Sequence, residues 1–240
     1  FFKQKTAYEI PKRDWSSDVC SSDLRRFHEA PRAPRTPGEP LTILFLGRLE
    51  KRKGALTLLQ AYARLTKEGI HARLVVAGAG PEEEKLRRYA RENNLHGAVF
   101  LGAFAAETKI ALYTDADIFC APSPYGESFG IVIAEAMAAG SPVAAAANDG
   151  YRTLLQEKAE TCLFPPGDDH ALFLILKRQL QDARLRADLS EWGRQAAMRY
   201  DVAAVAPRLV ALYEQAIAKH RQRGGLASNA TLPRESALHG

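Results

Sequence analysis

Residues 41–54 read LTILFLGRLEKRKG. The first six residues are a continuous apolar run, which is typical of a parallel strand buried on both faces. The run ends at Gly47, and apolar side chains at helical spacing follow from Ala55 to Leu65. A buried strand, a glycine turn and an amphipathic helix in this order predict the first unit of an α/β fold.

The same order of strand and helix repeats up to about residue 164. Further strands are predicted over residues 72–77, 98–101, 118–121, 142–146 and 161–164. Helices are predicted from Pro81 and over residues 106–114, 129–139, 151–157, 168–181, 183–199 and 202–220. Six strands that are each linked to the next through a helix predict a Rossmann-like, doubly wound parallel sheet with helices on both faces.

Composition excludes several classes of protein. The 240 residues are 46% hydrophobic and 25% charged, and no apolar run is long enough for a transmembrane helix. Cys20, Cys120 and Cys162 are scattered and the six histidines lack metal-ligand spacing, so neither a disulfide scaffold nor a zinc ribbon is expected. A reducing cytosol is the expected compartment. Of the net charge of +5, residues 41–220 carry only +1, so no nucleic-acid partner is expected.

The ends of the chain differ in composition from its centre. Residues 1–24 have no apolar period, contain Ser-Ser-Asp twice and resemble translated sequencing-adapter sequence. We interpret them as a non-native segment that does not pack against the core; the alternative is a disordered native leader. The remaining segments are predicted as a Pro-rich linker (25–40), a Rossmann-like domain (41–200), a final helix (201–220) and a disordered tail (221–240).

Two loops carry residues suited to an anionic ligand. Arg48 and Lys53 follow the first strand, and a planar guanidinium with a point-like ammonium suits a diphosphate. The alternative is a solvated basic loop. After the fourth strand, Ser128 is the predicted N-cap of a helix, and Gly130 lets a ligand approach the free N–H groups of its first turn.

That second helix carries one charged side chain. Glu135 is the only ionisable residue in FGIVIAEAMAA, and an unpaired carboxylate in a buried helix is costly. Ribose hydroxyls close to a phosphate site would be suitable partners. The alternatives are a solvent-facing position or a contact with an internal arginine. Because parallel strands end at one edge of the sheet, Arg48, Lys53, Glu127, Gly130 and Glu135 are expected to line one cleft.

Two segments together resemble a known family. Glu127 and Glu135 enclose seven residues in GESFGIVIAEAMAAGSPV (126–143), and GRLEKRKG (47–54) precedes them. This pair is similar to the donor-site signature of the retaining family 4 glycosyltransferases of GT-B fold, and most of all to that of phosphatidylinositol mannosyltransferases, which use GDP-mannose. The resemblance covers roughly residues 25–220, the C-terminal, donor-binding half of such an enzyme.

The resemblance implies a role for each matched residue. Three residues would be catalytic. Arg48 and Lys53 would bind the diphosphate and stabilise it as it leaves, and Glu127 would bind hydroxyls of the donor sugar. Glu135 would bind the ribose. The remaining donor-binding positions are the base neighbours Phe104 and Lys109 and the phosphate-binding segment Ser128, Phe129, Gly130 and Ile131. The family often has an acidic residue near position 106, where this chain has alanine followed by Glu107. The resemblance therefore does not decide which nucleotide base the donor carries.

The reaction implied is transfer of a hexose, mannose from GDP-mannose, to a lipid or glycan acceptor with retention. No metal ion and no cofactor beyond the donor is expected. In the family the acceptor site lies in an N-terminal domain, which we expect to be missing here. Through that domain the protein would associate with the inner face of a membrane. The helix at 201–220 would cross to that domain, so part of its apolar stripe should be exposed.

Two other classes of function remain open at this point. One is a nucleotide-binding Rossmann module without transferase activity, or half of a dinucleotide-dependent oxidoreductase. Gly78, Ala79 and Gly80 could open a dinucleotide fingerprint, but the third glycine position is occupied by Glu83. The other is an interaction or structural fragment, which the lack of a pocket around Arg48, Lys53 and Gly130 would favour.

Overall fold

The predicted apolar runs form a single parallel sheet. The structure, a computed structural model, describes residues 23–32, 35, 36 and 38–227. Its strands are β1 (Leu41–Leu46), β2 (Ala72–Ala77), β3 (Ala98–Gly102), β4 (Ile118–Ala121), β5 (Val143–Ala146) and β6 (Leu163–Phe164). Their order is β3-β2-β1-β4-β5-β6 and every pairing is parallel, which confirms the six-stranded, doubly wound architecture.

Helices cover both faces of this sheet because the strands are apolar on both sides. Leu44 and Leu46 of β1 face a first core, and Ile43 and Phe45 face a second core on the other side of the sheet. The helices are α1 (Arg25–His28), α2 (Ala55–Lys67), α3 (Glu83–Glu92), α4 (Thr108–Asp115), α5 (Ile131–Ala138), α6 (Asp149–Leu155), α7 (Ala159–Cys162), α8 (Asp169–Gln181), α9 (Ala183–Ala197) and α10 (Val202–Ala227). The first core includes side chains from α1, α4, α5, α6 and α9, and the second from α2, α3 and α8.

The start of the described chain is part of the first core, which corrects two predictions. Leu24 is fully buried and its backbone N–H donates to a carboxylate oxygen of Asp201 at 3.0 Å. Phe27 of α1 is buried as well, and the Arg32 guanidinium donates to the backbone carbonyl oxygens of Ala116 and Gly140. The expectation that residues 1–24 do not pack is wrong at Leu24, and residues 25–32 are not a simple linker. The sequence did not predict α1, because a helix of four residues is too short to show a helical period of apolar side chains. Residues 1–22 lie outside the described residues.

Several helix boundaries differ from the prediction. α3 begins at Glu83 rather than at Pro81, and α5 begins at Ile131 rather than at Phe129. At the other end, α10 continues through Ala227, so residues 221–227 are helical rather than part of a disordered tail. Residues 228–240 lie outside the described residues. The chain divides into two compact units between Asp201 and Val202, one residue beyond the predicted boundary.

The second unit, considered by itself, is dominated by α10. Apolar side chains that are exposed along this helix are Val202, Val205, Leu209, Val210, Leu212, Tyr213 and Ile217. These side chains include most of the apolar stripe predicted for residues 202–220. Within the described ranges, neither α10 nor any other helix combines the length and the apolar character that crossing a bilayer requires.

Candidate functional site

A cavity of about 740 Å³ lies at the carboxyl ends of β1 and β4. These neighbouring strands mark the point where the strand order reverses, and ligands of doubly wound sheets bind at that point. The loops after both strands and the first turn of α5 contribute to its wall. Its polar and charged lining side chains are Arg48, Glu50, Arg52, Lys53, Lys109, Ser123, Glu135 and Tyr151.

The loop after β1 is held by backbone contacts with the loop after β2. The N–H of Gly47 donates to the Ala77 carbonyl oxygen and the N–H of Leu49 to that of Ala79, both at 3.0 Å. A Cβ atom on Gly78 would lie 1.9 Å from the Gly47 carbonyl oxygen, so this position requires glycine. The glycines after β2 therefore support the loop that carries Arg48. The dinucleotide-binding alternative loses the motif on which it depended.

The first turn of α5 opens onto the cavity, but its cap is not the predicted one. Gly130, with φ of +91° and ψ of 54°, is the N-cap, and the helix begins one residue later at Ile131. The prediction of Ser128 as N-cap is wrong because the left-handed conformation that starts this helix favours glycine. Ile131 and Val132 line the cavity, and a first turn leaves N–H groups without intrahelical partners.

Tyr151 packs directly behind this turn. Tyr151 is 1% exposed, and a Cβ atom on Gly130 would approach its ring carbons to 2.6 and 2.7 Å. Burial raises the pKa of the Tyr151 phenol, so the ring remains a neutral wall of the cavity. Sequence analysis missed Tyr151 because nothing in the local pattern links it to the loop after β4.

The cations of the β1 loop are paired with carboxylates. Lys53 Nζ lies 2.5 Å from Glu127 Oε1, and Arg52 Nη1 lies 3.6 Å from the same oxygen. Glu50 bridges Arg48 Nε at 2.5 Å and Arg52 Nε at 2.9 Å. The Arg48 side chain is 68% exposed, whereas that of Lys53 is 20% exposed. Sequence analysis did not assign Glu50 or Arg52, although both lie within GRLEKRKG.

Glu135 is paired on the inner side of the cavity. Its side chain is 2% exposed, and Lys109 Nζ lies 2.7 Å from its Oε1 and 2.6 Å from its Oε2. The Tyr113 hydroxyl donates to Oε2 at 3.1 Å. Burial raises the pKa of Glu135, while Lys109 and the Tyr113 hydrogen bond act in the opposite direction. Neither expected alternative describes this contact, because Glu135 is buried and its partner is a lysine rather than an internal arginine.

The predicted donor-site residues thus fall into three groups. The residues that line the cavity itself are Arg48, Lys53, Lys109, Ile131 and Glu135. Glu127 adjoins this wall through Lys53, and Gly130 adjoins it through Tyr151. Ser128, Phe104 and Phe129 are not lining residues; the two phenylalanines pack against the first core, and the Phe129 ring centroid lies 5.2 Å from that of Tyr200.

The cavity is not built like a metal centre in the part of the chain that the structure describes. Over those residues, no three His, Cys, Asp or Glu side chains are grouped so that they could hold a metal ion. Cys120 lines the cavity from β4, and its complete burial raises the pKa of the thiol. The charged lining of the cavity is therefore a set of cations and carboxylates near the amino end of α5.

Known proteins are similar to this chain in sequence and in fold. A family model described as "Glycosyl transferases group 1" matches residues 27–196. The chain is 40% identical over 212 residues to a phosphatidyl-myo-inositol mannosyltransferase of Mycobacterium leprae, across 84% of this chain and 56% of that protein. Sucrose-phosphate synthase from Thermosynechococcus elongatus is 30% identical with a TM-score of 0.67, across 82% of this chain and 49% of that one.

A further solved structure has a similar fold at lower identity. HepE from Anabaena, in complex with UDP and glucose, is 24% identical with a TM-score of 0.66, and the match covers 73% of this chain and 48% of that one. The chain spans about half the length of each of these proteins.

Proposed function

Because the chain belongs to the group 1 glycosyl transferases, we propose that its cavity binds the nucleoside diphosphate of a nucleotide-sugar donor. Its sheet is the Rossmann-like fold of the GT-B glycosyltransferases, and its relatives include mannosyltransferases. The observation that carries the proposal is the convergence of Arg48, Lys53 and Glu135 on one cavity, beside the first turn of α5. Four cations and three carboxylates surround this position and leave one net positive charge.

Donor binding would exchange the ion partners within the site. The diphosphate would replace Glu50 on Arg48 and would replace Glu127 on Lys53. Charge-assisted hydrogen bonds to phosphate are strong, and the guanidinium of Arg48 offers a planar fork for two oxygens. The exchange would also release the Glu127 carboxylate, which could then accept hydrogen bonds from hydroxyls of the donor sugar.

The same groups would stabilise the leaving diphosphate. Charge develops on the phosphate oxygens as the bond from the sugar to the nucleoside diphosphate breaks. We propose that Arg48, Lys53 and the N–H groups of the first turn of α5, which lie around one cavity, stabilise that charge electrostatically. The proposal assigns this role to protein groups and assigns no metal ion. Glu135 would accept hydrogen bonds from the ribose.

We propose the finer identity of the reaction from the resemblance of the motifs in residues 47–54 and 126–143. The donor is GDP-mannose, the transfer retains the anomeric configuration, and the acceptor is a lipid or glycan. Because the chain spans about half of its relatives' length, we propose that a second domain supplies the acceptor site. Association with the inner face of a membrane would occur through that domain.

Binding of nucleotide and nucleoside tests the proposal. GDP should bind the chain with a Kd of about 0.1–1 mM, equivalent to about −5.5 to −4.1 kcal/mol. Arg48→Ala should weaken binding of GDP more than binding of guanosine, because only GDP presents the phosphates. Glu135→Gln should weaken both equally, because they share the ribose.

Arg64→Ala serves as the matched control, because Arg64 on α2 pairs with Asp169 on α8 and does not line the cavity. It should leave both affinities unchanged. The pair UDP and uridine, titrated in parallel, identifies the preferred base. Equal losses of GDP and guanosine affinity in Arg48→Ala would remove its phosphate role, and no nucleotide binding by the unaltered chain would overturn the proposal.

A further inference from the structure

Two side chains of α4, Lys109 and Tyr113, are hydrogen-bonded to the Glu135 carboxylate. We propose that Lys109 and Tyr113 are positioning residues: they hold the Glu135 carboxylate in one orientation and in its charged form, so that it can accept the ribose hydroxyls. This inference rests on the proposed function of Glu135. It also gives Lys109 a role other than contact with the base.

The geometry shows how α4 reaches this carboxylate. Lys109 and Tyr113 are four residues apart and so lie on the same face of the helix. The Lys109 ammonium contacts both oxygens of Glu135, at 2.7 and 2.6 Å, and the Tyr113 hydroxyl donates to Oε2 at 3.1 Å. An ionised carboxylate has about four lone-pair sites, and these contacts occupy at most three of them, so at least one site remains for the ribose.

Tyr113 is itself fixed by its surroundings. Its side chain is fully buried, and its ring packs edge-on against Phe27 of α1 and Phe119 of β4, with centroids 5.8 and 5.2 Å away. Burial, together with the nearby Glu135, raises the pKa of Tyr113 well above its ordinary value, so the hydroxyl keeps its proton. Tyr113 therefore donates a hydrogen bond from a rigid position, which orients one carboxylate oxygen.

Lys109 supplies the charge that keeps Glu135 ionised. Burial alone favours the protonated acid, and Lys109 is the principal group that opposes it. Protonated Glu135 would lose accepting capacity on the oxygen that carries the proton. The other titratable groups around the cavity are Arg48, Glu50, Arg52 and Lys53 from the loop after β1, Cys120 from β4 and Tyr151 from α6. None of these is hydrogen-bonded to Glu135 in the described structure, whereas Lys109 and Tyr113 are.

The first measurement needs no ligand. In the full chain labelled with ¹³C at glutamate side chains, the Glu135 carboxyl resonance, identified by its loss in Glu135→Gln, is followed against pH. Its pKa should rise in Lys109→Met and rise less in Tyr113→Phe, and Lys109→Arg should restore a value close to that of the unaltered chain. Lys177→Met, which removes a surface ion pair with Glu68, and Tyr62→Phe, which removes a buried hydroxyl from the second core, are controls that should change nothing.

The second measurement is the affinity for GDP at neutral pH. Lys109→Met should weaken binding by about tenfold and Tyr113→Phe by about fivefold, consistent with loss of hydrogen bonds to a charged group. Lys109→Arg should recover most of the loss, and Lys177→Met and Tyr62→Phe should leave the affinity unchanged.

The two measurements separate this inference from the proposed function. An unchanged Glu135 pKa in both Lys109→Met and Tyr113→Phe would overturn the positioning role, even if GDP bound normally. A changed pKa with full GDP affinity in both variants would also overturn it, because the held charge would then serve stability alone. Failure of the unaltered chain to bind GDP would overturn the donor site, while the pH titration would still show whether these residues hold the charge of Glu135.

Discussion

Replacing Gly130 by alanine should disturb the site through two separable effects. The φ of +91° places residue 130 in the left-handed region, which costs a non-glycine residue about 1–2 kcal/mol. The added Cβ would also approach the Tyr151 ring to 2.6 Å, and forcing a methyl group into a packed core costs about 1–3 kcal/mol. Together the change should destabilise the domain by about 2–5 kcal/mol.

Thermal unfolding measures this loss. For a domain of this size, Tm should fall by about 5–15 °C. Gly167→Ala is the matched control, because Gly167 has a φ of +81° and its added Cβ would meet nothing within 4 Å. It should show the backbone cost alone, about 1–2 kcal/mol. In a Tyr151→Leu background the two alanine variants should differ less, since the ring that clashes is gone.

The affinity for GDP should follow the same order. A displaced Tyr151 ring would move the wall of the cavity and the first turn of α5, so Gly130→Ala should weaken binding and Gly167→Ala should not. If both alanine variants lost the same stability, the close contact between Gly130 and Tyr151 would not exist as described, and the account of the α5 turn would be refuted.

Two further predictions concern charge and the start of the chain. Glu50→Gln should strengthen GDP binding by up to about fivefold in a low-salt titration, because it removes the carboxylate that competes for Arg48 and Arg52. The gain in affinity should shrink as salt is added. Weaker binding would mean that Glu50 instead orients the two arginines for the ligand. Deleting residues 1–22 should leave Tm unchanged, whereas Leu24→Ala should lower the free energy of unfolding by about 2–5 kcal/mol, because Leu24 is fully buried. A lower Tm after the deletion would show that the adapter-like segment stabilises the fold.

Most strands were predictable because they are short, largely apolar runs between glycine or polar turns; β6 is shorter than the predicted 161–164, because Thr161 and Cys162 belong to α7. β1, β2 and β4 begin and end where the sequence places them, and their order puts Arg48 and Glu135 at one edge of the sheet. Helix starts were less predictable. Ser128 is a good capping residue in isolation, but the close packing of Tyr151 behind residue 130 and the left-handed turn there favour glycine as the cap.

The partners of the charged residues depended on packing that the sequence does not reveal. The burial of Glu135 could be predicted from its apolar helix, and so could its need for a partner. That the partner would be Lys109 with Tyr113 required the placement of α4 beside α5. In the same way, α1 is too short to show a period, and its burial depends on contacts with residues far along the chain, such as Asp201.

The central claim is that a nucleoside diphosphate binds at the carboxyl edge of the sheet, and amide NMR of the full chain during titration with GDP tests it most directly. The account predicts that the largest shifts map to residues 47–54 and to Gly130, Ile131 and Val132, and that they shrink in Arg48→Ala. A second cavity, of about 510 Å³, includes Arg35, Thr42 and Asp117 near the amino ends of β1 and β4. Shifts concentrated there, with none around the β1 loop and the start of α5, would contradict the account.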